Sequence, residues 1–150
     1  AVGLGRLNDR KVDYVIGAVL MLRAEAVDQV GGFDEDFFLY AEETDWARRA
    51  ALLGWRHQEV ISVLAQHEGG ATSADPLRRE VHFHAGQERY YRKHFGPLGW
   101  QAARAAQLLG AAVRSRVLRG ERSRGAARRV RILLRGPLRY EAVLLEGAAA

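Results

Sequence analysis

The fold of this chain is decided by residues 31–46, whose sequence is GGFDEDFFLYAEETDW. The stretch joins two glycines, an acidic turn, an aromatic run and a second acidic group. Trp46, Ala50 and Leu53 recur at i, i+4 and i+7, which predicts an amphipathic helix that begins near Glu42. The first turn of that helix contains three carboxylates: Glu42, Glu43 and Asp45.

The segments on either side of this stretch predict strands that alternate with helices. Residues 12–22 are β-branched and almost continuously apolar, as expected of a strand buried on both faces, and Gly17 interrupts them where a ligand or another backbone comes close. A short helix is predicted over residues 23–30, a second strand over residues 59–65, and a loop over residues 67–76. This alternation predicts an α/β fold for the first part of the chain.

The C-terminal part of the chain predicts helices. Residues 80–95 and 98–119 have helical patterns, and the Gly-Pro pair at residues 96–97 separates them because proline cannot continue a helix. Residues 120–125, which contain two glycines, predict a further break.

Charge is divided unevenly along the chain. Residues 1–75 hold 7 Lys/Arg and 13 Asp/Glu, a net charge of −6, whereas residues 76–150 hold 16 and 5, a net charge of +11. We expect two domains, an α/β domain over residues 1–96 and an arginine-rich amphipathic tail over residues 97–150. Three interpretations of the tail stay open: contact with an anionic membrane, packing on the rest of the protein, and, least favoured because the tail has few aromatic residues, binding of nucleic acid.

The composition is that of a globular protein, with 48% hydrophobic and 27% charged residues. The absence of cysteine excludes disulfides and thiolate metal sites, and it suits a reducing compartment. No charged leader with an apolar core opens the sequence, and arginines interrupt the apolar runs before the roughly 20 residues of a membrane span. We therefore expect a cytoplasmic chain, attached at most peripherally to the inner face of the cell membrane.

The carboxylates at the start of the predicted helix have two interpretations. The helix dipole stabilises negative side chains in the first turn by a few tenths to about 1 kcal/mol each, and an Asp45–Arg49 pair at i, i+4 contributes roughly 0.3–0.5 kcal/mol. Alternatively, the aromatic run at residues 37–40 excludes water from Glu42 and Glu43. Exclusion of water and like-charge neighbours both raise the pKa of a carboxyl towards the range of a general base.

Other polar residues give weaker indications. The DED triplet at residues 34–36 has the form of a metal-binding Asp-x-Asp, but it follows two glycines rather than a strand, so we interpret it as a turn. His67 follows the predicted second strand, and the end of that strand can place it near the carboxylates of Glu42 and Glu43. A single loop histidine, however, often has no special role. His82 and His84 diverge by about 200° on a helix, and we predict that both lie at the surface.

Several motifs follow one another along residues 12–96: VIGA at 15–18, LR at 22–23, GGFDE at 31–35, FFLY at 37–40, EETDW at 42–46, RR at 48–49, and His67 with Gly70. In this order they resemble the C-terminal half of family 2 glycosyltransferases. Within that family, the chain is most similar to the rhamnosyltransferase-like enzymes of bacterial cell-surface polysaccharide synthesis.

The resemblance implies a GT-A fold, a Rossmann-like α/β sandwich that binds a nucleotide-diphosphate sugar and a divalent cation, Mg²⁺ or Mn²⁺. It also implies an inverting displacement in which a carboxylate takes the proton of the acceptor hydroxyl. The family usually has Glu-Asp at this point with the aspartate as base, and the matching residue here is Glu43. The other implied site residues are Gly17, Ala18, Glu42 and Asp45 on the acceptor side and His67 at the metal.

The nucleotide-binding strands of the family and its Asp-x-Asp precede these motifs and have no counterpart in this sequence. We therefore expect a fragment, a partial GT-A domain followed by a helical basic tail, which is inactive as an isolated chain. The implied partners are a nucleotide-diphosphate sugar and a lipid-linked or polysaccharide acceptor, with peripheral membrane contact and no nucleic acid. The alternative is a non-catalytic membrane-associated or interaction module.

Overall fold

The computed structural model describes residues 10–60, 64–67 and 75–146. Helices make up 68% of these residues. The elements, in chain order, are β1 (Arg10–Val12), α1 (Ala24–Val30), α2 (Glu42–Leu52), β2 (His57–Glu59), α3 (Pro76–Val117), α4 (Gly120–Arg135) and α5 (Pro137–Glu146). They belong to two compact units, a first unit formed by Ala1–Glu35 and Ala41–Gly69 and a second unit formed by Asp36–Tyr40 and Gly70–Ala150.

The first unit contains the two helices predicted around residues 31–46. α1 ends at Gly31, whose φ of 83° lies in the region that favours glycine and whose N–H donates to the carbonyl of Val27 at 2.8 Å. α2 begins at Glu42, and Gly54, with a φ of 88°, follows its last turn. The predictions of a helix over residues 23–30 and of a helix from Glu42 are confirmed.

A small apolar core joins α1 to α2. Ala26 of α1 packs with Trp46 and Ala50 of α2, and the indole N–H of Trp46 donates to the carbonyl of Gly31 at 2.8 Å. Leu53 was predicted to share this face, and that prediction is wrong. It is the residue after the last helical one, and its side chain is exposed because the helical repeat does not extend to it.

Arg49 adds a polar connection between the same two helices. Its guanidinium donates to the carboxylate of Asp45 at 2.9 Å and to the carbonyls of Val30 and Gly32 at 2.7 and 2.8 Å. The predicted i, i+4 pair is therefore confirmed. It is more than a surface pair, because Asp45 is fully buried and a buried carboxylate depends on its partner for compensation of its charge.

The strand predicted over residues 12–22 is wrong beyond Val12. The sheet consists of β1 and β2 in one antiparallel pair, and the chain after β1 has no regular secondary structure before α1. Ile16, Val19 and Met21 are largely exposed. An apolar run becomes a strand buried on both faces only between other strands and under covering helices, and the described residues supply neither for this segment.

The second strand is also displaced from its predicted position. It was expected over residues 59–65, whereas β2 covers His57–Glu59. Residues 61–63 lie outside the described residues, and Leu64 is almost completely exposed. Most of the predicted loop, residues 68–74, lies outside the described residues as well.

α3 is a long helix with one bend. Asp75 caps its N-terminus by accepting the N–H of Leu77 at 2.8 Å. Gly96 has a φ of 70° and a ψ of −176°, which interrupt the helical backbone directly before Pro97. The predicted break at this Gly-Pro pair is confirmed.

α4 and α5 pack on α3 and complete the second unit. Trp100 of α3 and Ile132 and Leu133 of α4 are fully buried. The guanidinium of Arg104 donates to the carbonyl of Leu133 at 2.8 Å and to that of Leu134 at 3.1 Å. Both carbonyls lie in the last turn of α4, where carbonyl groups have no hydrogen-bond donor within the helix, and Arg104 supplies that donor.

The break predicted over residues 120–125 is displaced towards the N-terminus. Leu118 and Arg119 alone separate α3 from α4, and Gly125 lies inside a regular helix. A glycine in a helix costs about 1 kcal/mol relative to alanine, and the packing of α4 on α3 exceeds that cost.

Residues 36–40 belong to the second unit and place their aromatic side chains on α3. The ring of Phe38 lies 5.2 Å from that of His82, and the ring of Tyr40 lies 5.8 Å from that of Phe83. Gly86 allows this approach, because a β-carbon at that position would overlap the carbonyl oxygen of Tyr40. The aromatic side chains of residues 36–40 therefore form a cluster with His82 and Phe83 of α3.

His82 and His84 of α3 are buried, so the prediction that they lie at the surface is wrong. His82 contacts the buried carboxylate of Glu141 in α5 at 2.7 Å, and Arg89 contacts the same carboxylate at 2.5 Å. Burial, assisted by the positive charge of Arg129, lowers the pKa of His84 to about 4. The prediction failed because α4, α5 and residues 36–40 cover α3 on different sides.

The partial GT-A architecture stays a prediction, since the described residues contain one short two-stranded sheet and are mostly helical. The predicted division into residues 1–96 and 97–150 stays a prediction as well, and its boundary coincides with the bend of α3. No helix in the described part of the chain is long and apolar enough to cross a membrane.

Replacing Gly86 with alanine should destabilise the protein by about 1–3 kcal/mol, because the added methyl group must displace backbone rather than a flexible side chain. Gly125→Ala is the matched control, since its β-carbon would meet only the Arg128 guanidinium at 3.6 Å. That variant should gain about 0.5–1 kcal/mol from the higher helix propensity of alanine. Urea unfolding followed by circular dichroism measures both changes, and equal midpoints for Gly86→Ala and wild type would contradict the close approach.

We expect His84 to weaken the fold as the pH falls from 6.5 towards about 4. In this interval the unfolded chain binds a proton at His84 and the folded chain does not, so acid favours unfolding by at most about 1.4 kcal/mol per pH unit. His84→Gln removes the titration and should flatten that part of the dependence. Urea midpoints of both proteins across this interval provide the measurement, and parallel curves would argue against a neutral buried His84.

Candidate functional site

The first unit contains a cavity of about 550 Å³ that combines the segment after β1 with the start of α2. Its lining consists of Gly17, Ala18, Val19, Leu20, Leu22, Phe33, Glu42 and Glu43. The structure therefore brings together four of the residues selected from the sequence: Gly17, Ala18, Glu42 and Glu43.

Gly17 faces the side chain of Glu43. Gly17 and Ala18 form a turn, and a β-carbon on Gly17 would lie 3.7 Å from side-chain atoms of Glu43. This is ordinary van der Waals contact, so alanine would fit there without strain but would fill the space beside the carboxylate. Glycine leaves that space open.

Two consecutive residues with positive φ precede the carboxylates. Tyr40 has a φ of 68° and Ala41 a φ of 70°, and this region costs a residue with a side chain of order 1 kcal/mol or more. Ala41 is also the N-cap of α2 and provides no side-chain hydrogen bond to the first turn. Backbone strain of this kind clusters at functional sites, and here it lies immediately before Glu42 and Glu43.

The surroundings of Glu42 in the cavity shift the pKa of its carboxyl group. Burial raises its pKa above the ordinary 4.5, a hydrogen bond from its own backbone N–H offsets part of the rise, and the charge of Glu43 adds to it. One side-chain oxygen, Oε2, of Glu42 and likewise of Glu43 is buried and accepts no hydrogen bond from the described residues. Since an unpaired buried oxygen is costly, the pair is suited to a ligand that brings its own donors.

Asp45 does not line the cavity, although it was predicted on the acceptor side. Its carboxylate is fully buried and is held by Arg49. This position fits the orientation of α2, and contact with an acceptor stays a prediction.

His67 lies in an exposed segment and does not line the cavity either. In the part of the chain that the structure describes, no group of three or more His, Asp or Glu side chains could hold a metal ion. Glu35 and Asp36 form a turn, as predicted for the DED triplet. The metal-binding role of His67 stays a prediction.

The sequence interpretation missed the apolar lining of the cavity. Leu20 and Leu22 had been assigned to a buried strand, but they line the cavity together with Phe33, whose ring lies 6.5 Å from that of Trp46. The available signal was their position directly after Gly17 and Ala18. Apolar neighbours exclude water and thereby favour the protonated form of a carboxyl.

Among the described residues, the lining combines two carboxylates with apolar side chains and contains no Lys, Arg or His. Such a surface accepts hydrogen bonds and repels anions, so it favours a neutral hydroxylated molecule over a phosphate. Its desolvated carboxylates are also placed to take a proton from a hydroxyl group.

Comparison with known proteins relates the chain to a glycosyltransferase. Over 70 residues it is 37% identical to the N-acetylglucosaminyl-diphospho-decaprenol L-rhamnosyltransferase of Mycobacterium tuberculosis, in the strains CDC 1551 / Oshkosh and ATCC 25618 / H37Rv. The matched region is 46% of this chain and 23% of the relative, so the chain spans about a quarter of the length of these curated relatives. No family model matches the chain, and no solved structure matches it.

Glu42→Gln should stabilise the protein at neutral pH and have little effect in acid. The folded chain holds a proton on Glu42 at a pH above 4.5, where the unfolded chain has lost it, so wild-type stability falls as the pH rises through this interval. Glutamine carries no charge and avoids the loss. Urea midpoints at neutral pH and below about pH 4 measure the difference.

Glu25→Gln is the matched control for this experiment. Glu25 lies exposed in the first turn of α1, so its replacement should destabilise slightly by removing a favourable interaction with the helix dipole. A Glu42→Gln variant that is less stable than wild type at neutral pH would contradict the assigned desolvation.

Proposed function

We propose that this chain is the acceptor-side part of an inverting glycosyltransferase of family 2 and GT-A type. The enzyme transfers a sugar from a nucleotide-diphosphate sugar to a hydroxyl group of a lipid-linked acceptor in bacterial cell-wall polysaccharide synthesis. The name of the mycobacterial relative supports rhamnose as the sugar and a polyprenyl-diphosphate saccharide as the acceptor. A lipid-linked acceptor supports a location in the cytoplasm at the inner face of the membrane.

The observation that carries this proposal is the pairing of Glu42 and Glu43 with the Gly17–Ala18 turn in one cavity. Each carboxylate keeps a buried oxygen without a hydrogen bond from the described residues, and none of the described lining residues is a cation. The neutral, hydroxyl-rich saccharide of the acceptor satisfies both oxygens, whereas a diphosphate, whether of the donor or of the acceptor, would be repelled. The lining therefore supports an acceptor subsite rather than a nucleotide subsite.

In the proposed reaction Glu43 is the general base. Its carboxylate takes the proton of the acceptor hydroxyl while the hydroxyl oxygen forms a bond to the anomeric carbon of the donor. The bond between that carbon and the diphosphate oxygen breaks, and the diphosphate leaves with the electron pair. Glu42 accepts a hydrogen bond from a second hydroxyl of the acceptor and so fixes its orientation.

The GT-A class implies Mg²⁺ or Mn²⁺, which would neutralise charge on the departing diphosphate. The described residues do not form a site for that ion, since they offer no group of three suitable side chains and His67 lies away from the cavity lining. If the enzyme uses such an ion, its ligands lie at least in part outside the described residues. The proposed roles of Glu42 and Glu43 do not pass through a metal.

In the full-length enzyme, Glu43→Gln should lower kcat by about 10²–10⁴-fold while the KM for the donor changes only a few-fold. Glutamine has nearly the same shape as glutamate but cannot take the proton. The assay is transfer of rhamnose from a nucleotide-diphosphate rhamnose to polyprenyl-diphospho-N-acetylglucosamine.

Glu35→Gln is the control, because Glu35 is an exposed carboxyl outside the cavity lining and should be dispensable for turnover. Near-wild-type turnover of Glu43→Gln would eliminate Glu43 as the base. Loss of turnover in Glu42→Gln alone would transfer that role to Glu42.

A non-catalytic membrane-associated or interaction module is the second candidate. It is favoured by the exposed apolar side chains of Leu98, Leu109, Val113 and Val117 in α3. Titration of the full-length protein with uridine or thymidine diphosphate in the presence of Mn²⁺ separates the two. Saturable nucleotide binding supports the transferase, and its absence supports the module.

A further inference from the structure

The part of α3 after its bend exposes a row of apolar side chains. Leu98, Leu109, Val113 and Val117 are 84%, 69%, 52% and 72% exposed, and small exposed alanines fill the row between the first two. Their spacing places them on one helix face, and we call this row the apolar stripe. At 1.5 Å per residue it is about 29 Å long.

The apolar stripe is not part of the core of the second unit. The side of α3 that faces α4 is marked by the buried residues Trp100 and Ala111 and by Arg104, which binds two carbonyls of α4. At 100° per residue, Trp100 and Ala111 lie roughly opposite the centre of the stripe. After the bend, packing within this unit therefore uses one face of α3 and leaves the apolar stripe on the other face exposed.

The charges beside the apolar stripe have one sign. Residues 97–117 contain no Asp or Glu, and the exposed Arg114 and Arg116 flank the C-terminal end of the stripe on its two sides. The chain from residue 76 onward has a net charge of +11. The surface thus pairs an apolar row with cationic flanks.

We propose that the apolar stripe binds the surface of an anionic lipid bilayer, with α3 lying in the plane of the interface. The leucine and valine side chains enter the boundary between headgroups and acyl chains, while Arg114 and Arg116 contact lipid phosphates. The helix does not cross the bilayer, in agreement with the lack of any membrane-spanning helix in the described residues. This proposal does not depend on the proposed glycosyltransferase activity.

Charge favours a bilayer over the other occupants of such a face. A second copy of the chain would bring two surfaces of the same positive sign together, because residues 97–117 contain no Asp or Glu. A nucleic acid would bind the arginines through its phosphates but would leave the leucines and valines in water. An anionic bilayer satisfies both halves of the surface.

The test is co-flotation of the full chain with vesicles made of equal parts phosphatidylcholine and phosphatidylglycerol, and with vesicles of phosphatidylcholine alone. We expect binding to the anionic vesicles and much weaker binding to the neutral ones. Leu109→Glu should lower the partition coefficient roughly tenfold or more, since it removes apolar burial and adds repulsion. Replacement of Arg114 or Arg116 with glutamine should lower it about fivefold each.

Leu52→Glu is the matched control. Leu52 lies in α2 and is 75% exposed, so the same change is made at similar exposure in the other unit. It should leave vesicle binding unchanged, and circular dichroism of both variants should match wild type because neither side chain is buried.

Three results would overturn the proposal. The first is failure of the wild-type chain to bind the anionic vesicles. The second is equal binding of Leu109→Glu and wild type to the anionic vesicles. That result would mean that the arginines alone make the contact, as expected of a surface that binds nucleic acid. The third is a dimer in sedimentation that Leu109→Glu dissociates while vesicle binding stays absent, which would assign the stripe to a second copy.

Discussion

The position of the two cavity carboxylates, Glu42 and Glu43, depends on the guanidinium of Arg49. This group binds the buried carboxylate of Asp45 and the carbonyls of Val30 and Gly32, so one side chain fixes α2 against the end of α1. Removal of one partner of a buried ion pair typically costs about 3–5 kcal/mol. Arg49 and the core around Trp46 thus hold α2 in a fixed direction, and its first residues are the two glutamates of the cavity.

The start of α2 is arranged at some expense of stability. Two residues with positive φ precede it, no side chain caps it, and Glu42 and Glu43 each keep a buried oxygen without a partner among the described residues. Local rules of helix formation would favour a capping serine or aspartate and solvated charges. The departures fall at one place, beside the Gly17–Ala18 turn, and this concentration is typical of a binding or catalytic site.

The second unit departs from the usual placement of residues in two places. Its interior holds the carboxylate of Glu141, in contact with His82 and Arg89, and its surface exposes the apolar stripe of α3. The buried charges are tolerated because they are paired with one another between α3 and α5. Exposed apolar rows have no such compensation in water, which is the physical reason to expect a lipid surface against them.

The sequence by itself determined the local elements: the glycine stop after α1, the helix from Glu42, the Asp45–Arg49 pair and the bend at Gly96. Each depends on residues a few positions apart, so local pattern suffices. Tertiary structure decided the rest, namely the absence of a strand over residues 13–22, the burial of His82 and His84 and the apolar lining of the cavity. Those outcomes depend on which distant segments cover a given face. The periodicity of one segment does not indicate which other segments lie next to it in space.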